Sequence, residues 1–78
     1  MRELVEYMAR ALVTHPEAVH VKETQSETTS IIELTVAPDD LGRVIGKQGR
    51  TAKSIRTIVS AAAARANRKA VLEILDEK

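Results

Sequence analysis

The chain has no cysteine, no tryptophan and no phenylalanine, and its one aromatic residue is Tyr7. Without cysteine there is no disulfide framework and no thiolate metal or redox chemistry, which fits a reducing compartment. With one aromatic residue, a surface that reads nucleic acid by stacking bases on aromatic platforms is excluded. No apolar run approaches the roughly 20 residues of a membrane-spanning helix. The start, Met1-Arg2-Glu3-Leu4-Val5-Glu6, carries acids where a signal peptide carries bases. A cytoplasmic protein with no membrane segment is therefore expected. His15 and His20 lack a clustered partner of ligating type, so neither a metal site nor a cofactor is expected.

Acids are missing from one region in particular. Net charge is only +1, but residues 1–42 hold 3 bases and 8 acids, whereas residues 43–69 hold 8 bases and no acid. Those bases are Arg43, Lys47, Arg50, Lys53, Arg56, Arg65, Arg68 and Lys69. Such a block is an electrostatic footprint for a polyanion. The alternative is a solvated helix face balanced by acids elsewhere in the fold.

At the head of this block stands Arg43-Val44-Ile45-Gly46-Lys47-Gln48-Gly49-Arg50. Gly46 and Gly49 can take positive φ and let another backbone come close. Lys47 and Gln48 sit at the tip between them and can aim their donors at one target. The helix start that follows offers unpaired N–H groups and a partial positive charge, which suits a phosphate. A bare G-x-x-G is equally the joint of two helices that needs glycine only for geometry.

The rest of the chain reads in order. Residues 2–14 form a helix with Leu4, Met8, Ala11 and Leu12 on its apolar stripe, widened by Val5 and Tyr7, and closed by Pro16. Residues 18–24 form a strand with Val19 and Val21 inward. A polar connection without an Asn-Gly or Asp-Gly signature follows. Residues 30–37 form the clearest strand, with Ile32, Leu34 and Val36 on one face. After Pro38, Asp39 or Asp40 caps a short helix through residues 41–45. Thr51 caps the next helix, which runs to about Ala66 with Ala52, Ile55, Ile58 or Val59, Ala62 and Ala66 inward. Its four successive alanines, residues 61–64, permit close packing on the sheet or on a second copy. Asn67 is the expected C-cap, residues 70–75 a last strand, and residues 76–78 a charged tail.

The order is α-β-β-α-α-β with G-x-x-G between the middle helices. Val44-Ile45-Gly46-Lys47-Gln48-Gly49-Arg50 resembles the I-G-x-x-G signature of a KH domain, in the type II arrangement. The opening Met-x-Glu-Leu-Val-x-Tyr-x-Ala-x-Ala-Leu-Val, and the run from Val36 to Ala52, resemble the small bacterial single-KH RNA-binding proteins of the KhpA-like family. The resemblance covers essentially the whole chain. It implies one α+β domain over residues 1–78, a three-stranded sheet with three helices packed on one face.

It also implies a clamp for about four nucleotides of single-stranded RNA. On this pattern Gly46 and Gly49 let the phosphate backbone approach, and Lys47 and Gln48 supply charge and a donor. Arg43, Arg50, Lys53 and Arg56 form the positive rim. Val44 and Ile45 either touch bases or support the loop from inside, the core role being the stronger reading for Ile45. Strand 30–37 is expected to give the far side of the groove. The family implies a homodimer and a heteromeric complex with a larger KH-containing, KhpB-like bacterial protein.

The competing classes are an interaction module, in which the fold serves mainly dimerisation, and an enzyme. Both glycines are present and the loop is basic, which favours RNA binding over the first. For the second, Ser54 and Ser60 lie on a helix without a nearby histidine, and Asp39-Asp40 sits where a cap belongs. The P-loop and dinucleotide spacings are absent. A non-catalytic RNA chaperone or post-transcriptional regulator is the expectation.

Overall fold

The computed structural model describes residues 1–76. Helix α1 (Arg2–Leu12) leads to β1 (His20–Gln25) and β2 (Thr29–Val36), then α2 (Leu41–Ile45), α3 (Arg50–Arg65) and β3 (Lys69–Asp76). Single 3-10 turns occupy Pro16–Ala18, Pro38–Asp40 and Lys47–Gly49. This is the α+β order α-β-β-α-α-β expected from the sequence. Of the expected charged tail, Asp76 ends β3, and residues 77 and 78 lie outside the described residues.

The sheet order is β1-β2-β3. β1 pairs antiparallel with β2, His20 opposite Thr35 through Gln25 opposite Ser30. β3 pairs parallel with β2, Thr29 opposite Lys69 through Val36 opposite Asp76. A parallel pair needs a crossover, and α2 and α3 supply it. β2 alternates buried and exposed, with Ser30, Ile32, Leu34 and Val36 inward. Ile32, Leu34 and Val36 are fully buried, each contributing about 1.5–3 kcal/mol. Val21 and Leu72 join them from the flanking strands, and the helices bring Val5, Ala9, Val44, Ile55 and Val59. Ile31, Val71 and Leu75 point out of the opposite face, so all three helices cover one side.

Two helix stripes differ in phase from the expectation. In α1 the fully buried residues are Val5 and Ala9, while Tyr7 is 76% exposed and Ala11 and Leu12 also face outward. Small residues take the closest contact and let the helix approach the sheet, leaving Leu4 and Met8 at the flanks. α1 also stops at Leu12, with Val13 extended. In α3 the inward set is Ala52, Ile55, Val59 and Ala63, so Val59 is the core residue and Ile58 is exposed. Ala62 is only half-buried and Ala66 lies outside the helix.

The caps differ as well. Neither aspartate caps α2 through its side chain. Asp40 is fully buried and reaches back to the end of α1. Its carboxylate accepts hydrogen bonds from the Thr14 N–H (2.9 Å), the Thr14 hydroxyl (2.8 Å) and the His15 N–H (2.9 Å). Glu23 of β1 likewise accepts the Arg2 N–H at the start of α1 (3.1 Å). α3 opens on Gly49 in the left-handed region rather than on Thr51. At its other end Asn67 has φ +59°, while the Asn67 N–H donates to Ala64 O and the Arg68 N–H to Ala63 O. That is the paired closure of a helix by a left-handed residue; the cap itself is Ala66, and Asn67, the expected cap, takes the left-handed position one residue on.

Burial alone would raise the Asp40 carboxyl, but the bonds from Thr14 and His15 and the nearby His15 charge outweigh it and hold it below its ordinary 3.8. Stabilisation from this lowered group is fully present above that ordinary value and is lost as pH falls through the lower folded-state value. Asp40→Asn places an amide N–H₂ against N–H donors. We expect the variant to melt at lower temperature than the native chain at neutral pH and to lose less stability on acidification. Thermal melts followed by circular dichroism across the acid range check this; identical curves would remove Asp40 from the account.

Candidate nucleic-acid interface

Three of the four residues 46–49 in the loop between α2 and α3 have positive φ. Gly46 has φ +77° and ψ 173°, a region open essentially to glycine alone. A Cβ there would collide with the Thr51 hydroxyl and lie 2.6 Å from Thr51 Cβ and 2.9 Å from its backbone nitrogen. Gln48 (φ 57°, ψ 26°) and Gly49 (φ 74°, ψ 12°) are both left-handed. Nothing lies within 4 Å of the position a Cβ would take on Gly49. Gly46 is thus required by both conformation and packing, and Gly49 by conformation. The Gly46 N–H donates to Gly42 O (2.8 Å) and the Gly49 N–H to Gly46 O (3.1 Å), which closes the turn on itself. Lys47 and Gln48 project from it, exposed.

α3 starts immediately after, at Arg50, so its positive end faces the loop. Arg50, Lys53 and Arg56 are all exposed. Lys53, Arg56 and Ser60, at i, i+3 and i+7, share one face of α3. Arg43 is also exposed, with its Nε 3.6 Å from the Asp40 carboxylate. Asp40 is satisfied by Thr14 and His15, so Arg43 can turn to another anion without orphaning the buried carboxylate.

The apolar pair splits. Val44 is fully buried in the core and supports the loop from inside, away from any ligand. Ile45, expected inside, is 37% exposed because it closes the last turn of a five-residue helix on the solvent side.

Strand 30–37, expected to give the far side of the groove, does not line the concavity beside α3. β2 is the central strand, paired on both edges, and its inward side chains are sealed beneath the helices. The concavity beside α3, about 230 Å³, lies between that helix and the edge strand β3. It is lined by Arg56, Val59 and Ser60 from α3 and by Ala70, Val71 and Leu72 from β3. Arg56 Nε donates to Leu72 O across it (3.4 Å). The β3 residues carry no charge or motif that marks them in the sequence. The usable signal was that the strand after α3 must return beside it. Of the eight bases in the positive block, Arg68 is tied into the fold, and Arg65 lies on the side of α3 opposite Arg56.

Among the described residues no group of three or more His, Cys, Asp or Glu side chains is placed to hold a metal ion. Among the same residues no helix is long and apolar enough to cross a membrane.

A family model described as KhpA/KhpB, KH domain, matches residues 2–74. A protein of Clostridium perfringens named RNA-binding protein KhpA is 57% identical over 75 residues, which cover 96% of this chain and 100% of that one. Proteins of the same name from Halalkalibacterium halodurans and Chlamydia muridarum are 53% and 50% identical, covering 97% and 100% of this chain and 100% of each relative. Among solved structures, Era in complex with MgGDPNP and a 16S ribosomal RNA segment aligns with TM-score 0.56 and 23% identity. That alignment covers 96% of this chain and 29% of the Era chain, and it supports the fold alone.

The two glycines should respond differently to a methyl group. Gly46→Ala meets a glycine-only conformation and a collision, so a loss of about 3 kcal/mol or more is expected. Gly49→Ala meets open space and only the left-handed penalty, about 1–2 kcal/mol. Urea denaturation of both variants checks the order. Equal losses would show that the Thr51 contact does not constrain Gly46.

Proposed function

The chain belongs to the KhpA/KhpB KH-domain family, and on that premise we propose that it is a non-catalytic RNA-binding protein of the cytoplasm, an RNA chaperone or post-transcriptional regulator. Its residues 1–78 act as a single KH domain that takes single-stranded RNA at the G-x-x-G loop. One observation carries this reading. A loop with both glycines at positive φ opens into an acid-free helix face bearing Arg50, Lys53 and Arg56 beside an apolar groove.

The geometry supports a role for each residue. The open side of Gly49 admits a phosphate, and Lys47 and Gln48 donate to it from the exposed tip. Arg43, Arg50, Lys53 and Arg56 neutralise the neighbouring phosphates. Ile45 gives apolar surface beside the loop, Val44 and Gly46 hold the loop's shape, and bases enter the α3–β3 groove beside Ser60 and Ala70, with the buried Val59 and Leu72 as its floor. With no aromatic platform in the groove, affinity from one copy is modest, and two joined copies gain by avidity.

A homodimer suits this arrangement. Ile58 is 47% exposed and projects from the side of α3 that Arg56 does not occupy, with Ala61 exposed beside it. Pairing there leaves the groove open in both copies. A complex with a larger, KhpB-like KH protein is the second partnership we infer, from the family that unites the two.

Replacing Lys47 and Gln48 together by Asp sets two like charges against phosphate at exposed positions, and Asp tolerates the left-handed conformation of residue 48. Fluorescence anisotropy with a short unstructured RNA should register binding by the native chain and none by the variant, at equal folded fraction by circular dichroism. With about three phosphates neutralised, the native affinity should fall with log salt at a slope near −2, from roughly −0.7 per phosphate. Equal binding by both proteins, or a flat salt response, would contradict the loop assignment.

A further inference from the structure

Arg68 belongs by sequence to the positive block but not by structure. It follows the left-handed Asn67 and precedes the first residue of β3. Its guanidinium is turned into the β1–β2 hairpin and is only partly accessible. Nε donates to Ser30 Oγ (3.2 Å), Nη1 to Glu27 O (3.1 Å), and Nη2 to Ser26 O (2.8 Å) and Thr29 O (3.0 Å). Four of the five N–H donors of an arginine are thereby used, with no carboxylate among the acceptors. Ser30 is itself buried.

The hairpin turn has no glycine to relax it. Its carbonyls converge on a cation instead, and the Ser26 N–H closes the turn onto Thr29 O (2.8 Å). Next along the chain, the Lys69 N–H donates to Thr28 O (2.8 Å). The Arg68 N–H donates back to Ala63 O at the end of α3 (2.9 Å). One residue therefore ties the helix end, the hairpin and the first rung of β3. Ala70, two residues on, is already groove wall.

We propose that Arg68 is a positioning residue of the RNA groove and not a phosphate contact: its fork locks the α3–β3 corner and so sets where the β3 wall stands opposite Arg56 and Ser60. This rests on the reading of the α3–β3 groove as the RNA site. Lysine cannot replace it, because an ammonium lacks the planar fork that meets several carbonyls at once. Charge is therefore not the property that matters at this position, in contrast to Lys53.

The test is anisotropy with a fluorescein-labelled unstructured RNA of mixed sequence, at several salt concentrations, for the native chain, Arg68→Lys, Arg68→Gln and Lys53→Gln. All are compared at a temperature where circular dichroism reports full folding. Both Arg68 variants are expected to raise Kd by about fivefold or more, with the native salt slope retained. Lys53→Gln is expected to flatten that slope by about 0.7. If Arg68→Gln does not fold, Arg68→Lys and Ser30→Ala carry the test, Ser30→Ala removing the Nε acceptor and weakening binding at unchanged slope.

Native binding by Arg68→Lys with a flattened slope in Arg68→Gln would make Arg68 a phosphate contact and overturn the proposal. Native affinity in both variants would reduce Arg68 to a stability clamp and overturn it too. If the native chain itself fails to bind, the RNA reading and this inference fall together. If Lys53→Gln behaves as expected and the Arg68 variants bind like the native chain, only this inference falls.

Discussion

The backbone of Gly46 lies against Thr51 more closely than any residue with a Cβ permits. That approach sets the angle at which α3 leaves α2, because only the five-residue α2, flanked by two three-residue turns, lies between β2 and α3. The angle in turn lays Ala52, Ile55, Val59 and Ala63 on the sheet and leaves Lys53 and Arg56 beside its edge. Core and proposed binding face are thus two sides of one helix whose direction is decided at one glycine. Glycine's backbone freedom costs conformational entropy on folding, and the core beneath α3 offsets it.

A chain of this size buries a modest core and has no disulfide to reinforce it. The polar ties that span the fold are few, and they are placed where chain ends meet. Glu23 holds the start of α1, Asp40 its end, and Arg68 the corner between α3 and the hairpin. Each joins residues 21 or more positions apart. Each satisfies backbone groups that a helix terminus or a turn would otherwise leave open. No buried side-chain nitrogen or oxygen among the described residues lacks a partner. The hairpin and the end of α1, both without strong local turn chemistry, are closed by side chains from elsewhere.

What could be read in the sequence divides along the same line. β2 was legible because Ile32, Leu34 and Val36 alternate with polar neighbours, and a period of two has one reading. The loop was legible because two glycines at fixed spacing demand a special backbone. α1 was harder. Apolar residues surround most of its circumference, and periodicity ranks Leu4 and Met8 above Ala9, whereas packing prefers the small residue. β3 is apolar on both faces, so neither its edge position nor its place as groove wall could be seen. The far wall was assigned to β2 for that reason. Asp40 and Arg68 carried plausible local roles, as a cap and as part of a charge block. Their partners, mostly backbone atoms, are 25 to 42 residues distant, which no local pattern announces.

The charge asymmetry of the sequence becomes a spatial one in the fold. The acid-rich first half supplies α1 and the hairpin, and the acid-free stretch supplies the loop and α3, so on the proposed reading a polyanion is drawn to the loop and α3 rather than to α1. The measurement that tests this most directly is a backbone amide NMR titration of the protein with a short single-stranded RNA. The account predicts the largest shifts at residues 46–53, with a second group at residues 70–72 on β3, and none on the outer face of α1. Shifts centred on α1 or β1, with the loop unmoved, would contradict it.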